Sequence, residues 1–163
     1  MPIESSDIKH SGIGRFSRLL MRTMSLYESN DSNGQVSLAN LFNGAKNIDG
    51  KANINLDKLA YLICRGGWPF AIDLKREASL QQAVDYYEAV VNSDINRADG
   101  VSKKKDNVEL LMRSLSRNQG SQCSIATIKS DIEHIDGGNL SQDLLVRYIN
   151  ALKMIYVIED MPA

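Results

Sequence analysis

Apolar residues recur at helical spacing in the last third of the chain and predict three short helices. Each begins at a polar residue suited to cap a helix, namely Asp106, Ser124 or Ser141. The predicted inward faces are Val108, Leu111, Met112 and Leu115, then Ile125, Ile128, Ile132 and Ile135, then Leu144, Leu145, Tyr148, Ile149 and Leu152. A β-rich run from Tyr156 to Ile158 follows and predicts a strand. Three helices followed by a strand indicate a winged helix-turn-helix unit over residues 104–163.

The middle of the chain also shows helical periodicity. One helix is predicted from Leu56 to Cys64, with an inward face formed by Leu56, Leu59, Ala60 and Ile63. A capping box formed by Ser79 and Gln82 predicts the start of a longer helix that runs to about Ile95. Ser37 can cap a shorter helix earlier in the chain. The predicted fold class is therefore mainly α.

The charged stretch from Arg97 to Asp106 separates these two helical regions. It contains Gly100 and the three-lysine run Lys103 to Lys105, and we interpret it as a solvated linker that acts as a hinge. The formal net charge of the chain is only −1. Such a balance excludes a global basic field that would attract nucleic acid or anionic lipid. Any anion site must therefore be local.

One local basic cluster lies near the start of the chain. Arg15, Arg18 and Arg22 flank an apolar run from Leu19 to Met21 that predicts a short strand, and a flexible loop, Gly12 to Gly14, precedes them. Guanidinium groups present a planar fork of donors that matches phosphate. Two interpretations stay open, an anion-binding cluster or a solvated basic turn that leads into a strand.

Length and composition allow one domain or two small ones with a buried core, because the chain has 163 residues of which 43% are hydrophobic. His10 and His134 have no second ligand at metal-binding spacing, so no metal site is predicted. Cys64 and Cys123 lie far apart in apolar patterns and are interpreted as reduced core thiols. No apolar run approaches the roughly 18 residues of a membrane helix. We therefore expect a cytoplasmic protein with no membrane partner.

Several longer motifs along the chain together resemble those of a known protein family. They are Ser11-Gly12, Gly14-Arg15, Met21-Arg22, Met24 to Ser29, Val36 to Phe42, Arg65 to Pro69 and Glu159 to Ala163. Together they resemble the region that follows the sensor strand in bacterial and archaeal AAA-type ATPases with a long C-terminal domain of unknown function. The resemblance covers nearly the whole chain. The phosphate loop of such ATPases, G-x-x-x-x-G-K-[ST], does not occur in the sequence.

The resemblance implies three segments. These are a remnant of the ATPase core with a short strand at 1–35, a helical lid-like region at 36–98 and a winged-helix-like unit at 104–163. Such a chain would be a fragment that links the nucleotide core to the C-terminal domain of a parent ATPase and is inactive alone. ATP and magnesium would bind the parent protein through the missing core, and the fragment itself would hold no cofactor. Self-association would occur through the ATPase region.

Two arginines are the site residues that the resemblance implies. Arg15 follows a Gly-Arg turn where AAA-type ATPases place an arginine near the nucleotide, which makes it the candidate catalytic arginine finger. Arg15 and Arg22 are the candidate nucleotide-binding residues. In the alternative, Arg15 has a structural role and pairs with Asp7 or Glu28.

The motif from Arg65 to Pro69 resembles an element of the family's helical lid. Its two glycines let the backbone leave a helix and let Trp68 pack closely, while Pro69 fixes the exit direction. Phe70 stands where the family has a glutamate. We therefore expect a packing corner rather than a ligand contact.

The alternative function is a winged-helix module that binds nucleic acid or protein. Its candidate nucleic-acid contacts are Gln142, Arg147 and Lys153 on the third helix. Residues 106–160 contain five basic and eight acidic residues. Because this leaves few phosphates that the unit could neutralise, nucleic-acid binding is predicted to be weak or absent.

Overall fold

The computed structural model describes residue 19 and residues 21–161. This part of the chain is mainly helical, as predicted, and contains no strand. Leu19 and Met21 lie in irregular backbone, and Leu20 between them is outside the described residues. The predicted N-terminal strand is therefore not found in the part of the chain that is described.

The chain forms two compact units that divide between Tyr86 and Tyr87, inside a helix. We call described residues 19 and 21–86 the N-terminal unit and residues 87–161 the C-terminal unit. The predicted boundary at 98–104 lies later in the chain, within the C-terminal unit.

The N-terminal unit contains α1 (Leu38–Phe42), α2 (Leu56–Arg65), α3 (Pro69–Ile72) and most of α4 (Arg76–Ala89). The Ser37 side chain caps α1 by accepting from the Asn40 N–H, as predicted. The predicted capping box at Ser79 is wrong, because α4 begins at Arg76. Ser79 is fully buried in its first turn, and its hydroxyl donates to the Arg76 carbonyl at 2.8 Å.

The C-terminal unit contains the end of α4, a π-helical segment (Val90–Asp94), α5 (Ile95–Arg97), α6 (Lys105–Arg117), α7 (Ile125–Ile135) and α8 (Gln142–Met154). Helices α6, α7 and α8 pack against one another, while the π-helical segment packs on α6 and α5 packs on α8. Ser124 and Ser141 cap α7 and α8, which confirms two of the predicted helix starts.

The core of the C-terminal unit is apolar. Of sixteen buried apolar residues in the described chain, fourteen belong to this unit. Those from the predicted inward faces are Val108, Leu111, Ile128, Ile132, Leu145, Tyr148, Ile149 and Leu152. Ile135, which was also predicted to face inward, is exposed at the last position of α7.

The three helices of the predicted winged unit are present, but the wing strand is not found in residues 155–161. Tyr156 has a φ of 59° and its N–H donates to the Lys153 carbonyl at 3.1 Å. The Val157 N–H donates to the Leu152 carbonyl at 3.0 Å. These two bonds form a Schellman motif, which satisfies carbonyls of the last turn of α8. The β-rich run therefore ends a helix, because it has no neighbouring strand to pair with among the described residues.

The stretch between α5 and α6 is fixed by Lys103, whose side chain is 2% exposed. Its ammonium donates to the carbonyls of Ile95 at 3.1 Å and Val101 at 3.0 Å and to Asp99 Oδ1 at 2.5 Å. Partial burial opposes ionisation of Asp99, but the bond from Lys103 holds the pKa of that carboxyl below its usual range. The interpretation of Lys103 as part of a solvated linker was wrong, because its ammonium finds three internal acceptors.

The exposure of the cysteines and the length of the helices both bear on the environment of the protein. Both cysteines are free, but Cys64 is exposed, so the core-thiol interpretation is wrong for that residue. Cys123 is half-buried. No helix in the described part of the chain combines the length and the apolar character that crossing a membrane requires.

Candidate functional site

Of the two arginines that are predicted to bind nucleotide, one lies among the described residues and the other does not. Arg15, like its alternative partner Asp7, lies outside the described residues. Arg22 is described and exposed, on the stretch that leads to Met24. Their roles in nucleotide binding and catalysis stay predictions.

A turn that is closed by its own hydrogen bonds follows Arg22, and we call it the 24–32 turn. The N–H and the hydroxyl of Ser25 both donate to Glu28 Oε2 at 2.8 Å, and the Glu28 N–H donates back to Ser25 Oγ at 3.3 Å. These bonds lower the pKa of Glu28. The Asp31 N–H donates to the Leu26 carbonyl at 2.8 Å. The segment therefore has an ordered shape of its own, with Glu28 engaged inside it.

Asp31, near the end of the turn, is bonded to two cations of α2. Its Oδ2 accepts from Arg65 Nη2 at 3.0 Å, and its Oδ1 lies 3.2 Å from Lys58 Nζ. The side chains of Arg65 and Asp31 are only 6% and 12% exposed. Burial disfavours the carboxylate, but hydrogen bonds from Ser29, Lys58 and Arg65 outweigh it and lower the pKa of Asp31. Removing one partner of such a pair would leave a buried charge uncompensated.

The motif from Arg65 to Pro69 forms a packing corner between α2 and α3, as predicted. The carbonyl of Gly67 accepts from the Met24 N–H at 2.7 Å. A Cβ at Gly67 would lie 2.2 Å from the Met24 carbonyl oxygen, so no larger residue fits there. The ring of Trp68 packs against Tyr86 with 4.6 Å between centroids. The corner thus binds the 24–32 turn on one side and α4 on the other.

Tyr61 lies at the centre of the polar contacts of the N-terminal unit. Its ring centroid is 4.6 Å from the guanidinium carbon of Arg76 and 5.8 Å from that of Arg65, within the range of cation–π attraction. Its hydroxyl lies 2.9 Å from that of Ser79, which joins α2 to α4. Arg76 also pairs with Asp57 at 3.2 Å. We call these residues, together with Asp31 and Lys58, the polar centre.

The apolar face of α2 lies on the opposite side of the helix from the polar centre. Its members are Leu56, Leu59 and Ile63, which are 84%, 42% and 72% exposed, and Ala60, which is also exposed. The buried residues of α2 are Leu62 and Arg65. The predicted inward face was therefore wrong. Periodicity identified the stripe correctly, but polar contacts hold the other side of the helix.

The candidate nucleic-acid residues lie on α8. Gln142 and Arg147 are exposed. The Nζ of Lys153 donates to Asp160 Oδ2 at 2.5 Å, which neutralises its charge locally. A phosphate that bound Lys153 would have to displace Asp160, so α8 offers less positive charge than its sequence indicates.

Sequence reasoning missed Asp31, Tyr61 and Lys103 as organising residues. Asp31 and Lys103 are of types that are almost always exposed, and they lie in a loop signal and a charge run. Asp31 bonds Arg65 across 34 residues, a separation at which no local pattern predicts contact. Of these three residues, Tyr61 is the one whose role the sequence could have indicated, because the hydroxyl of a buried tyrosine needs a hydrogen-bond partner.

One protein family matches the chain, but no curated protein and no solved structure does. Residues 56–163 match a family of which the description is Domain of unknown function (DUF8612), and this match begins at the first residue of α2. Because the matched residues make up more than half of the sequence, the chain belongs to the DUF8612 family.

Proposed function

We propose that the chain is a part of an AAA-type ATPase that links the nucleotide core to a C-terminal domain and is inactive alone. The observation that carries this proposal is the uncovered apolar surface of the N-terminal unit. Among its described residues, two apolar side chains, Leu62 and Ala71, are buried, whereas thirteen large apolar side chains are exposed. Exposed apolar surface on this scale is typical of a region that packs against another part of a protein.

The contact between two of the motifs supports the same proposal. The 24–32 turn and the corner from Arg65 to Pro69 both carry the resemblance to AAA-type ATPases, and the bond between Met24 and Gly67 joins them. A free-standing nucleic-acid-binding module has no need for this pair of segments. Their contact favours a lid-like element that works together with a neighbouring core.

In this proposal the parent protein supplies the phosphate-binding loop, and the chain supplies arginines. Arg15 acts as the arginine finger, and Arg15 and Arg22 contact the nucleotide. ATP and magnesium bind the core of the parent, and self-association occurs through the ATPase region. The parent protein works in the cytoplasm.

Calorimetry with ATP and magnesium tests the proposal directly. The 163-residue chain should give no heat above dilution, because it lacks the phosphate loop. Micromolar binding would contradict the proposal. In the parent protein, Arg15→Ala should reduce kcat far more than nucleotide affinity, since an arginine finger acts on the transition state. Arg18→Ala is the matched control, and equal effects of the two changes would remove the special role of Arg15.

A second candidate function is binding of nucleic acid or protein by the C-terminal unit. The exposed Gln142 and Arg147 on α8 favour it, while the pairing of Lys153 with Asp160 weakens its nucleic-acid form. We expect a Kd for duplex DNA in the non-specific range of about 10⁻⁴ to 10⁻⁶ M at physiological salt. Fluorescence anisotropy can measure it. A nanomolar, sequence-dependent complex that Arg147→Ala abolishes would make nucleic-acid binding the primary function.

A further inference from the structure

The 24–32 turn is attached to α2 and to the corner at both of its ends. At its start, the Met24 N–H donates to the Gly67 carbonyl at 2.7 Å. Towards its end, Asp31 bonds Arg65 and Lys58. A segment held at one end can swing like a flap, whereas a segment held at both ends must move with its support.

The spacing of the attachment points strengthens this restriction. Lys58 and Arg65 are two turns apart on α2, or about 10 Å along its axis, yet both reach the same carboxylate. Gly67 lies beyond the end of the helix. The turn is also closed internally by the mutual bonds of Ser25 and Glu28, so it has no hinge of its own.

Gly67 makes the close approach at the first attachment possible. Its φ is not positive, unlike that of Gly66, so glycine is not required there by backbone conformation. It is required by space, because a Cβ would meet the carbonyl oxygen of Met24 at 2.2 Å. Alanine at this position therefore breaks the attachment without introducing backbone strain of its own.

We propose that the 24–32 turn, α2 and the corner act as a clamp that converts a displacement of the chain at Arg22 into a displacement of α2. Because the polar centre lies on one side of α2, the clamp moves the opposite, uncovered apolar face. The role of nucleotide as the source of the displacement rests on the proposed function. The clamp itself is a property of the contacts within the N-terminal unit.

Amide exchange detected by NMR tests the clamp in the 163-residue chain without nucleotide. Gly67→Ala should speed amide exchange about tenfold at Asp31 and Ser32. These two amides lie at the end of the turn away from Met24, and both donate to the Leu26 carbonyl. Coupling is reciprocal, so Asp31→Asn should speed exchange of the Met24 amide by a similar factor. The two changes combined should have less effect than the product of the single effects.

Two control variants separate the clamp from general destabilisation. Gly44→Ala introduces strain at a φ of +87° but meets no atom within 4 Å. Asp85→Asn removes an exposed carboxylate of α4 that accepts from Gln81 and lies outside the polar centre. Neither change should affect the exchange of the Met24, Asp31 and Ser32 amides.

The clamp is overturned if Gly67→Ala speeds exchange of the Met24 amide alone and leaves Asp31 and Ser32 unchanged. Should Gly67→Ala unfold the whole unit, which Trp68 fluorescence would reveal, Asp31→Asn and Lys58→Met carry the same test at the other attachment. An unchanged Met24 amide in both of these variants also overturns the clamp. Its failure leaves the proposed function standing, whereas ATP binding by the chain alone contradicts the proposed function and leaves the clamp intact.

Discussion

The two units of the chain are held together by different interactions. The C-terminal unit contains fourteen of the sixteen buried apolar residues among those that the structure describes, and they come mainly from three mutually packed helices. The N-terminal unit contains two, and its elements meet at the polar centre around Tyr61 and Asp31. One unit thus has an apolar core, and the other has an ionic and aromatic junction with apolar residues on its outside.

This difference has consequences for stability and for geometry. Apolar burial stabilises by roughly 25 cal/mol per Å², so three packed helices can support themselves. Hydrogen bonds and buried ion pairs fix positions closely but add little net stability after desolvation. We therefore expect the C-terminal unit to be the more stable one, and the N-terminal unit to be well defined but easily unfolded in isolation.

The largest expected effect comes from the apolar core. Leu152, in the last turn of α8, is fully buried, so Leu152→Ala should lower the free energy of unfolding by about 2 to 5 kcal/mol. Leu145→Ala should behave alike. Val146→Ala, on the exposed side of the same helix, is the control and should change it by less than about 0.5 kcal/mol. Urea unfolding followed by circular dichroism measures all three, and equal effects at Leu152 and Val146 would refute the proposed packing of α8.

The next effect concerns Lys103, whose side chain is buried in the C-terminal unit. Lys103→Met keeps most of the side-chain volume but removes the ammonium, which takes one donor away from Asp99 and from each of two carbonyls. The expected loss is about 1 to 3 kcal/mol. Lys104→Met, at an exposed neighbouring lysine, is the control. If both variants unfold at the same urea concentration as the wild type, Lys103 is the solvated linker residue that its sequence suggests.

The contrast between these units also explains which features could be predicted from the sequence. Ser124 and Ser141 were identified as caps because each serine oxygen accepts from a backbone N–H only three residues further along the chain. Leu145 and Leu152 were identified as core because a helix that packs on several neighbours buries most of its apolar stripe. Local patterns therefore suffice where the core is apolar.

The failures occur where a distant or polar partner decides the structure. The stripe on α2 shows that the helix is amphipathic, but the bond of Arg65 to Asp31 turns its opposite side inward. Lys103 lies in a charge run that is typical of a solvated linker, yet it is buried. Tyr156 lies in a β-rich run that ends a helix, because capping bonds outweigh strand propensity when no strand is available for pairing.

Acidification should destabilise the N-terminal unit. The pKa of Asp31 is lower in the folded chain than in the unfolded chain, so its carboxylate stabilises fully above about pH 4, the unfolded value. This contribution is lost as the pH falls through the lower, folded pKa. Trp68 is the single tryptophan and lies in the N-terminal unit, so its fluorescence reports that unit. Its transition should come at a lower urea concentration at pH 3 than at pH 6, and Asp31→Asn should reduce this shift.

The smallest effect on stability is expected on the apolar face of α2, and it tests the comparison most closely. Leu56 and Ile63 are 84% and 72% exposed, so Leu56→Gln and Ile63→Gln should change the free energy of unfolding by less than about 0.5 kcal/mol. The same changes should reduce binding of an apolar dye such as ANS, since they remove exposed apolar area. Leu62→Gln, on the buried side of α2, is the matched control and should destabilise. A large loss of stability from Ile63→Gln would mean that another part of the chain covers this face, and the N-terminal unit would then have an apolar core of its own.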